Sequence, residues 1–178
     1  MNRAVFIDRD GTINVNRRDY VKSWDEFTFL PNALAGLKAL AKSEYKIIVV
    51  TNQRAVARGM MGLETLEDIH GRMLAEVEEA GGRIDAVYVC AHDVKDGCNC
   101  RKPKTGLLEL AAETFNLDLR GCWMLGDKTQ DVLTGKNAGC RTMLVKTGYG
   151  GKDGLHDMKA DVECADLLDA AKSILGGN

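Results

Sequence analysis

Five short apolar runs punctuate the chain, at residues 4–7, 46–50, 85–89, 122–125 and 141–145. They are rich in β-branched and aliphatic residues and lack strict polar alternation, which predicts strands buried on both faces. Between several of them the spacing changes to that of a helix. Leu34, Leu37 and Ala41 mark one apolar stripe, and Leu66, Ile69, Met73 and Val77 mark another. Leu107 to Phe115 is apolar enough to be buried on more than one side, while Leu168, Ala171 and Leu175 predict a closing helix. The alternation predicts an α/β chain, a three-layer, Rossmann-like parallel sheet with helices on both faces. Such sheets bind ligands outside the carboxyl ends of their strands, so the residues after each run form the candidate site.

The first run leads into Asp8-Arg9-Asp10-Gly11-Thr12 and the second into Thr51-Asn52-Gln53. The third leads through Cys90 to Arg101-Lys102-Pro103, and the fourth into Gly126-Asp127-Lys128. Asp8 and Asp10 stand on one side of an extended chain, where paired carboxylates call for a cation or a proton. One carboxylate can attack phosphorus, and a second can protonate the leaving oxygen and then activate water. Mg²⁺ suits carboxylate, water and phosphate oxygens. Thr51 and Lys102 offer donors to phosphoryl oxygens. Each piece also has an ordinary reading: Asp10-Gly11 as a turn, Thr51-Asn52 as a helix cap, Lys102 as a solvated side chain. Their order on successive strand ends points to phosphoryl transfer.

At 178 residues the chain is expected to form one domain over 1–178. A net charge of −2 offers no footprint for nucleic acid or an anionic membrane. The longest aliphatic run, Ile47-Ile48-Val49-Val50, is far too short to span a bilayer. No leader is expected either, because the first strand starts almost at Met1, so the expected setting is a cytoplasmic monomer. Of six cysteines, Cys122, Cys140 and Cys164 fall in apparent core elements. Cys90, Cys98 and Cys100 share one loop with His92, giving four ligands within eleven residues. Three thiolates and an imidazole suit a closed structural Zn²⁺ site over 90–100, against the alternative of a reduced surface loop. Lys102 follows Cys100 by two residues, so such a site would fix the backbone that delivers it. His70 and His156 lack comparable company and are expected to be structural.

The four strand-end segments, with the last extended to Gly126-Asp127-Lys128-Thr129-Gln130-Asp131, resemble the haloacid dehalogenase superfamily of phosphohydrolases. The resemblance implies Asp8 as nucleophile, Asp10 as general acid/base, and Thr51 and Lys102 as phosphate ligands. It places Mg²⁺ on Asp8, the Asp10 carbonyl and Asp127, with Lys128 also at the substrate site. Asp131 has two readings, as support for the metal site or as an acidic residue favoured in a helix's first turn. The zinc loop narrows the likeness to heptose bisphosphate phosphatases and the related histidinol-phosphate phosphatases, over nearly the whole chain. The former remove the 7-phosphate of D-glycero-D-manno-heptose 1,7-bisphosphate, on the way to ADP- or GDP-heptose for lipopolysaccharide or surface glycans.

That resemblance implies substrate contact by Arg101 and a phosphate-site role for Asn52. One departure is plain: the family's usual Ser-Gly-Ile-Ala-Arg-Gly reads Arg54-Ala55-Val56-Ala57-Arg58-Gly59 here. Arg54 could meet a second phosphate, mark a different substrate, or point outward into solvent. The strand intervals leave no room for an inserted cap domain. The type expected is therefore capless, with loop 20–29 and the zinc loop shaping the pocket, and with Trp24, Phe27 and Phe29 as core plugs. The competing readings are a histidinol-phosphate or other small sugar-phosphate phosphatase, and a zinc-scaffolded module that binds a phospho-ligand without turnover. A polynucleotide phosphatase fits less well, since no basic groove is evident.

Overall fold

The computed structural model describes residues 1–176; the last two residues of the expected 1–178 domain, Gly177 and Asn178, lie outside it. Six strands, β1 (Ala4–Ile7), β2 (Lys46–Asn52), β3 (Ala86–Cys90), β4 (Trp123–Gly126), β5 (Arg141–Val145) and β6 (Val162–Cys164), form one sheet. Their order is β3-β2-β1-β4-β5-β6, and every pair is parallel. Helices α1 (Ala33–Leu40), α2 (Arg54–Ala57), α3 (Leu63–Glu79), α4 (Gly106–Phe115), α5 (Thr129–Ala138) and α6 (Leu167–Gly176) lie between or after the strands, with α2 and α3 both between β2 and β3 and no helix between β5 and β6.

The period of two along each strand divides the core between the faces. Val5, Ile7, Ile47, Val49, Trp123 and Leu125 pack toward α1, α3 and α6. Ala4, Phe6, Ile48, Val50 and Met124 pack with Leu107, Leu108 and Ala111 of α4. All four residues of β1 are fully buried, so a polar substitution there costs a core contact and leaves an unpaired group. Cys122, Cys140 and Cys164 are buried in these cores as expected. Phe27 is buried too, stacked on Trp24 and edge-on to Phe29 with ring centroids 4.9 and 5.0 Å away. These three aromatics plug the first loop against the sheet.

Two expectations need correction. Leu110 is exposed, so α4 buries a single face; the surplus of apolar residues in Leu107 to Phe115 reflects one solvent-facing leucine. The closing helix buries Leu167, Ala170, Ala171 and Ile174, one register off the stripe through Leu168 and Leu175. A sixth strand was not expected at all, because β6 is a three-residue edge strand too short to show a pattern. Among the described residues no helix is long and apolar enough to cross a membrane. Neither interval around β2 holds an inserted folded unit: one carries a single 3₁₀ turn and α1, the other α2 and α3.

Candidate functional site

The strand order reverses at β1, whose neighbours β2 and β4 lead away on opposite sides. A crevice opens where such connections diverge, beyond the carboxyl end of β1. Asp8 begins there, its N–H donating to the Leu125 carbonyl at 2.9 Å. Beside it lie Asp127, directly after β4, and Asp131, in the first turn of α5. One oxygen from each carboxylate lies within 4.8 Å of the others, and all three residues are buried.

Lys102 reaches into this group from the loop before α4. Its Nζ donates to Asp131 Oδ1 at 2.6 Å and lies 2.9 Å from Asp8 Oδ1, with 2 % of the side chain exposed. Burial alone would lower its pKa, but the charges of Asp131 and Asp8 outweigh that and hold the ammonium protonated. Asp127 has no such partner. Burial first, then the charges of Asp8 and Asp131, push its pKa up to about 8. Its Oδ2 accepts from the Tyr149 N–H at 2.7 Å, while its buried Oδ1 has no hydrogen-bond partner. An orphaned carboxylate oxygen facing two further carboxylates suits a hard divalent cation. Mg²⁺ bonds of about 2.1 Å would space such oxygens roughly 3 to 4 Å apart. Asp131 also secures the start of α5, since its Oδ2 accepts from the Lys128 N–H at 3.2 Å.

Two glycines keep the floor of the site open. Gly11 (φ +90°) and Gly148 (φ +56°) each have a backbone that disfavours L side chains, and a Cβ on either would overlap the Asp127 carboxylate. Gly148 belongs to the loop after β5.

Asp10 is held apart by a second network. Arg9 Nη2 donates to both of its oxygens at 2.9 and 3.0 Å, Asn14 Nδ2 to Oδ1 at 2.9 Å, and Gln53 Nε2 to Oδ2 at 2.7 Å. Burial would raise its pKa, yet the Arg9 charge and these donors bring it below the usual carboxylate value. Arg9 is fully buried, and its Nη1 meets His70 Nε2 at 3.0 Å. Burial and the Arg9 charge lower the His70 pKa to about 4, so the imidazole is neutral and accepts from Arg9. Protonation of His70 is thus easier in the unfolded chain, near its ordinary 6.5, than in the fold. Its contribution to stability is complete above about pH 6.5 and fades as pH falls toward 4, a loss of roughly 2–3 kcal/mol. Urea unfolding of His70→Leu between those values should show a shallower pH slope than the unaltered chain.

Around the crevice, Thr51 is buried with its hydroxyl accepting from Gln53 Nε2 at 2.8 Å. Asn52 exchanges hydrogen bonds with the Lys102 backbone, 3.3 Å to its carbonyl and 3.2 Å from its N–H, and so ties the end of β2 to the loop carrying Lys102. The cleft outside has two adjoining basins of about 240 and 560 Å³ that share Arg54, Arg101, Lys128, Gln130 and Tyr149. Asp10, Arg17 and Arg18 line the smaller one. The Lys128 ammonium sits 5.2 Å over the Tyr149 ring, and its acidic neighbours overcome burial to raise its pKa. Arg54 is not an outward, solvated arginine: its Nε and Nη2 grip Asp93 at 2.9 and 2.6 Å. Arg101 donates to the His92 carbonyl at 3.2 Å.

The zinc-type loop comes together as expected. Cys90 Sγ is 3.7 Å from His92 Nδ1 and 3.6 Å from Cys98 Sγ; Cys100 Sγ is 3.2 Å from His92 Nδ1 and 3.4 Å from Cys98 Sγ. Zn–S bonds of about 2.3 Å and Zn–N bonds of about 2.0 Å set tetrahedral edges of roughly 3.5–3.8 Å, which these separations approach.

Sequence reasoning brought together Asp8, Asp127, Lys102 and the four soft ligands. It missed Arg9, Asn14, Gln53 and His70 as a unit, although Arg9 stands between two aspartates and Gln53 follows Thr51 and Asn52. His70, seventeen residues past Gln53, carried no signal.

Known proteins resemble this chain in sequence and in fold. The HAD-hydrolase-like family model matches residues 99–170. The D-glycero-β-D-manno-heptose-1,7-bisphosphate 7-phosphatase of Pseudomonas aeruginosa is 39 % identical over 84 % of this chain and 85 % of its own. Its namesake in Neisseria meningitidis serogroup A is 33 % identical over 99 % and 96 %. The crystal structure of D,D-heptose 1,7-bisphosphate phosphatase from B. bronchiseptica, complexed with magnesium and phosphate, superposes with a TM-score of 0.91. It is 34 % identical, covering 100 % of both chains.

Proposed function

Because the chain belongs to the heptose-1,7-bisphosphate 7-phosphatase family of haloacid dehalogenase-like hydrolases, we propose that it hydrolyses the 7-phosphate of D-glycero-β-D-manno-heptose 1,7-bisphosphate through a phosphorylated Asp8. The observation that carries the proposal is Lys102 bridging Asp8 and Asp131 beside the orphaned Asp127 oxygen, at the end of the strand where the sheet reverses.

An Asp8 oxygen attacks phosphorus, and the bond from phosphorus to the C7 oxygen breaks as Asp10, carrying the proton taken up in the second step of the preceding turnover, delivers it to that oxygen. Asp10, now a carboxylate, takes a proton from water; the water oxygen attacks phosphorus and the Asp8–phosphorus bond breaks, releasing inorganic phosphate. The hydrogen bonds from Arg9, Asn14 and Gln53 suit Asp10 to this second, basic role. Thr51 and Lys102 hold the transferring phosphoryl oxygens, with Asn52 fixing the Lys102 backbone. Mg²⁺ would be held by Asp8, Asp127 and the Asp10 carbonyl, where it supplies positive charge that offsets the carboxylates and the phosphoryl group. Asp131 sets the position of Lys102.

Outside this centre, Arg54, Arg101 and Lys128 give the cleft a basic wall suited to the phosphate that stays on the sugar. The same wall disfavours histidinol phosphate, whose amino group is a cation. A phosphate-release screen with Mg²⁺ should rank the β-anomer of heptose 1,7-bisphosphate first, ahead of its α-anomer, fructose 1,6-bisphosphate and histidinol phosphate. Preference for histidinol phosphate would overturn the substrate assignment.

Cys90, His92, Cys98 and Cys100 fit Zn²⁺ in a structural role. That metal would brace the loop that brings Arg101, bonded to the His92 carbonyl, and Lys102, two residues after Cys100, to the cleft. Stoichiometric removal of zinc should raise KM and lower kcat, each by about tenfold or more. Restored zinc, but not added Mg²⁺, should reverse the loss.

A further inference from the structure

Behind Asp10 the side chains of Arg9 and His70 have no role in the two-step reading, yet both are polar groups that are costly to bury. Arg9 is a fully buried cation whose guanidinium spans three elements: Asp10 on its own loop, Gln53 Oε1 at 3.1 Å after β2, and His70 Nε2 at 3.0 Å on α3. Among the described residues, its salt bridge is with Asp10 alone. His70 is buried and aims its acceptor nitrogen at Arg9. A core that needed only packing would place an apolar residue at position 70, as α3 does at Leu66, Ile69, Met73 and Val77.

We propose that His70 and Arg9 are positioning residues that aim the Asp10 carboxyl for proton transfer to the leaving oxygen. His70, anchored on a rigid helix, fixes one arm of the guanidinium. The other arm carries both Asp10 oxygens and Gln53, which in turn holds the Thr51 hydroxyl. Loss of the His70 acceptor releases Arg9 from α3 and lets the carboxyl swing away from the scissile oxygen. This inference rests on the two-step reading above.

Leaving groups separate aim from structure. A sugar alkoxide needs the proton as it departs, whereas p-nitrophenolate leaves without one. With a covalent intermediate, kcat/KM reports only steps through departure of the leaving group, so the later basic work of Asp10 does not enter. His70→Leu should lower kcat/KM for the heptose bisphosphate by about 10- to 100-fold, a part of the roughly 10²- to 10⁴-fold that general acid catalysis supplies, and that for p-nitrophenyl phosphate by less than about 3-fold. His70→Gln keeps an acceptor and should recover most of the difference. Equal losses on both substrates, a larger loss on the aryl ester, or no recovery in His70→Gln would overturn the inference. Failure of the unaltered enzyme to hydrolyse any phosphate ester would instead overturn the phosphatase reading, and this inference with it.

Discussion

Replacement of Asp8 by Asn should abolish phosphate release, lowering kcat by about 10⁴-fold or more, because the amide has no oxyanion to attack phosphorus. The fold should survive. Asp8 and Asn have nearly the same shape, and the substitution removes one of the two carboxylate charges that, after burial itself, push Asp127 up to about 8. Stopped assays and urea unfolding, on the same preparation, check both halves of the expectation. A chain that only bound a phospho-ligand would keep its ligand and have no turnover to lose, so activity in the unaltered protein and its loss in Asp8→Asn distinguish the two.

Lys102→Met should carry the largest combined effect. It removes the ammonium that bridges Asp8 and Asp131 and leaves both carboxylates buried without that partner. Breaking a buried pair in this way typically destabilises by about 3–5 kcal/mol. The methylene stem is retained, so the loss is electrostatic rather than a cavity. Mg²⁺ should recover part of that stability, since a divalent cation at the same carboxylates supplies the missing charge. It should not recover turnover, where loss of a phosphoryl-oxygen donor costs about 10²- to 10³-fold in kcat. Thermal unfolding across a Mg²⁺ titration, beside phosphate release, reads both effects.

The sequence exposed the parts of this site that depend on strand periodicity. A short, wholly buried strand must end where the sheet ends, so Asp8, Thr51 and Asp127 could be placed at one edge before any geometry was known. The soft ligands were legible because Cys90, His92, Cys98 and Cys100 are close along the chain. The Arg9–His70 contact was not, because it joins residues 61 positions apart and neither type predicts the other. The Arg54–Asp93 pair escaped for the same reason, across 39 positions. The need for a bare Cα at Gly148 shows only once Asp127 lies against it. Asp131 holds Lys102 with one oxygen and the start of α5 with the other, a double duty that its place in the chain does not show. Helix register was the weakest inference: α6 is amphipathic, but its buried stripe passes through Ile174 where Leu175 looked equally apolar.

The central claim is that Asp8 itself accepts the phosphoryl group. An acyl phosphate is reduced by borohydride to an alcohol, which turns a phosphorylated aspartate into homoserine. The enzyme should be mixed with excess heptose bisphosphate and Mg²⁺, quenched in the steady state, reduced and digested, and its peptides sequenced by mass spectrometry. The expected result is homoserine at position 8, dependent on substrate and absent from Asp8→Asn. Reduction at another carboxylate, or none at position 8 under conditions where phosphate is being released, would contradict it.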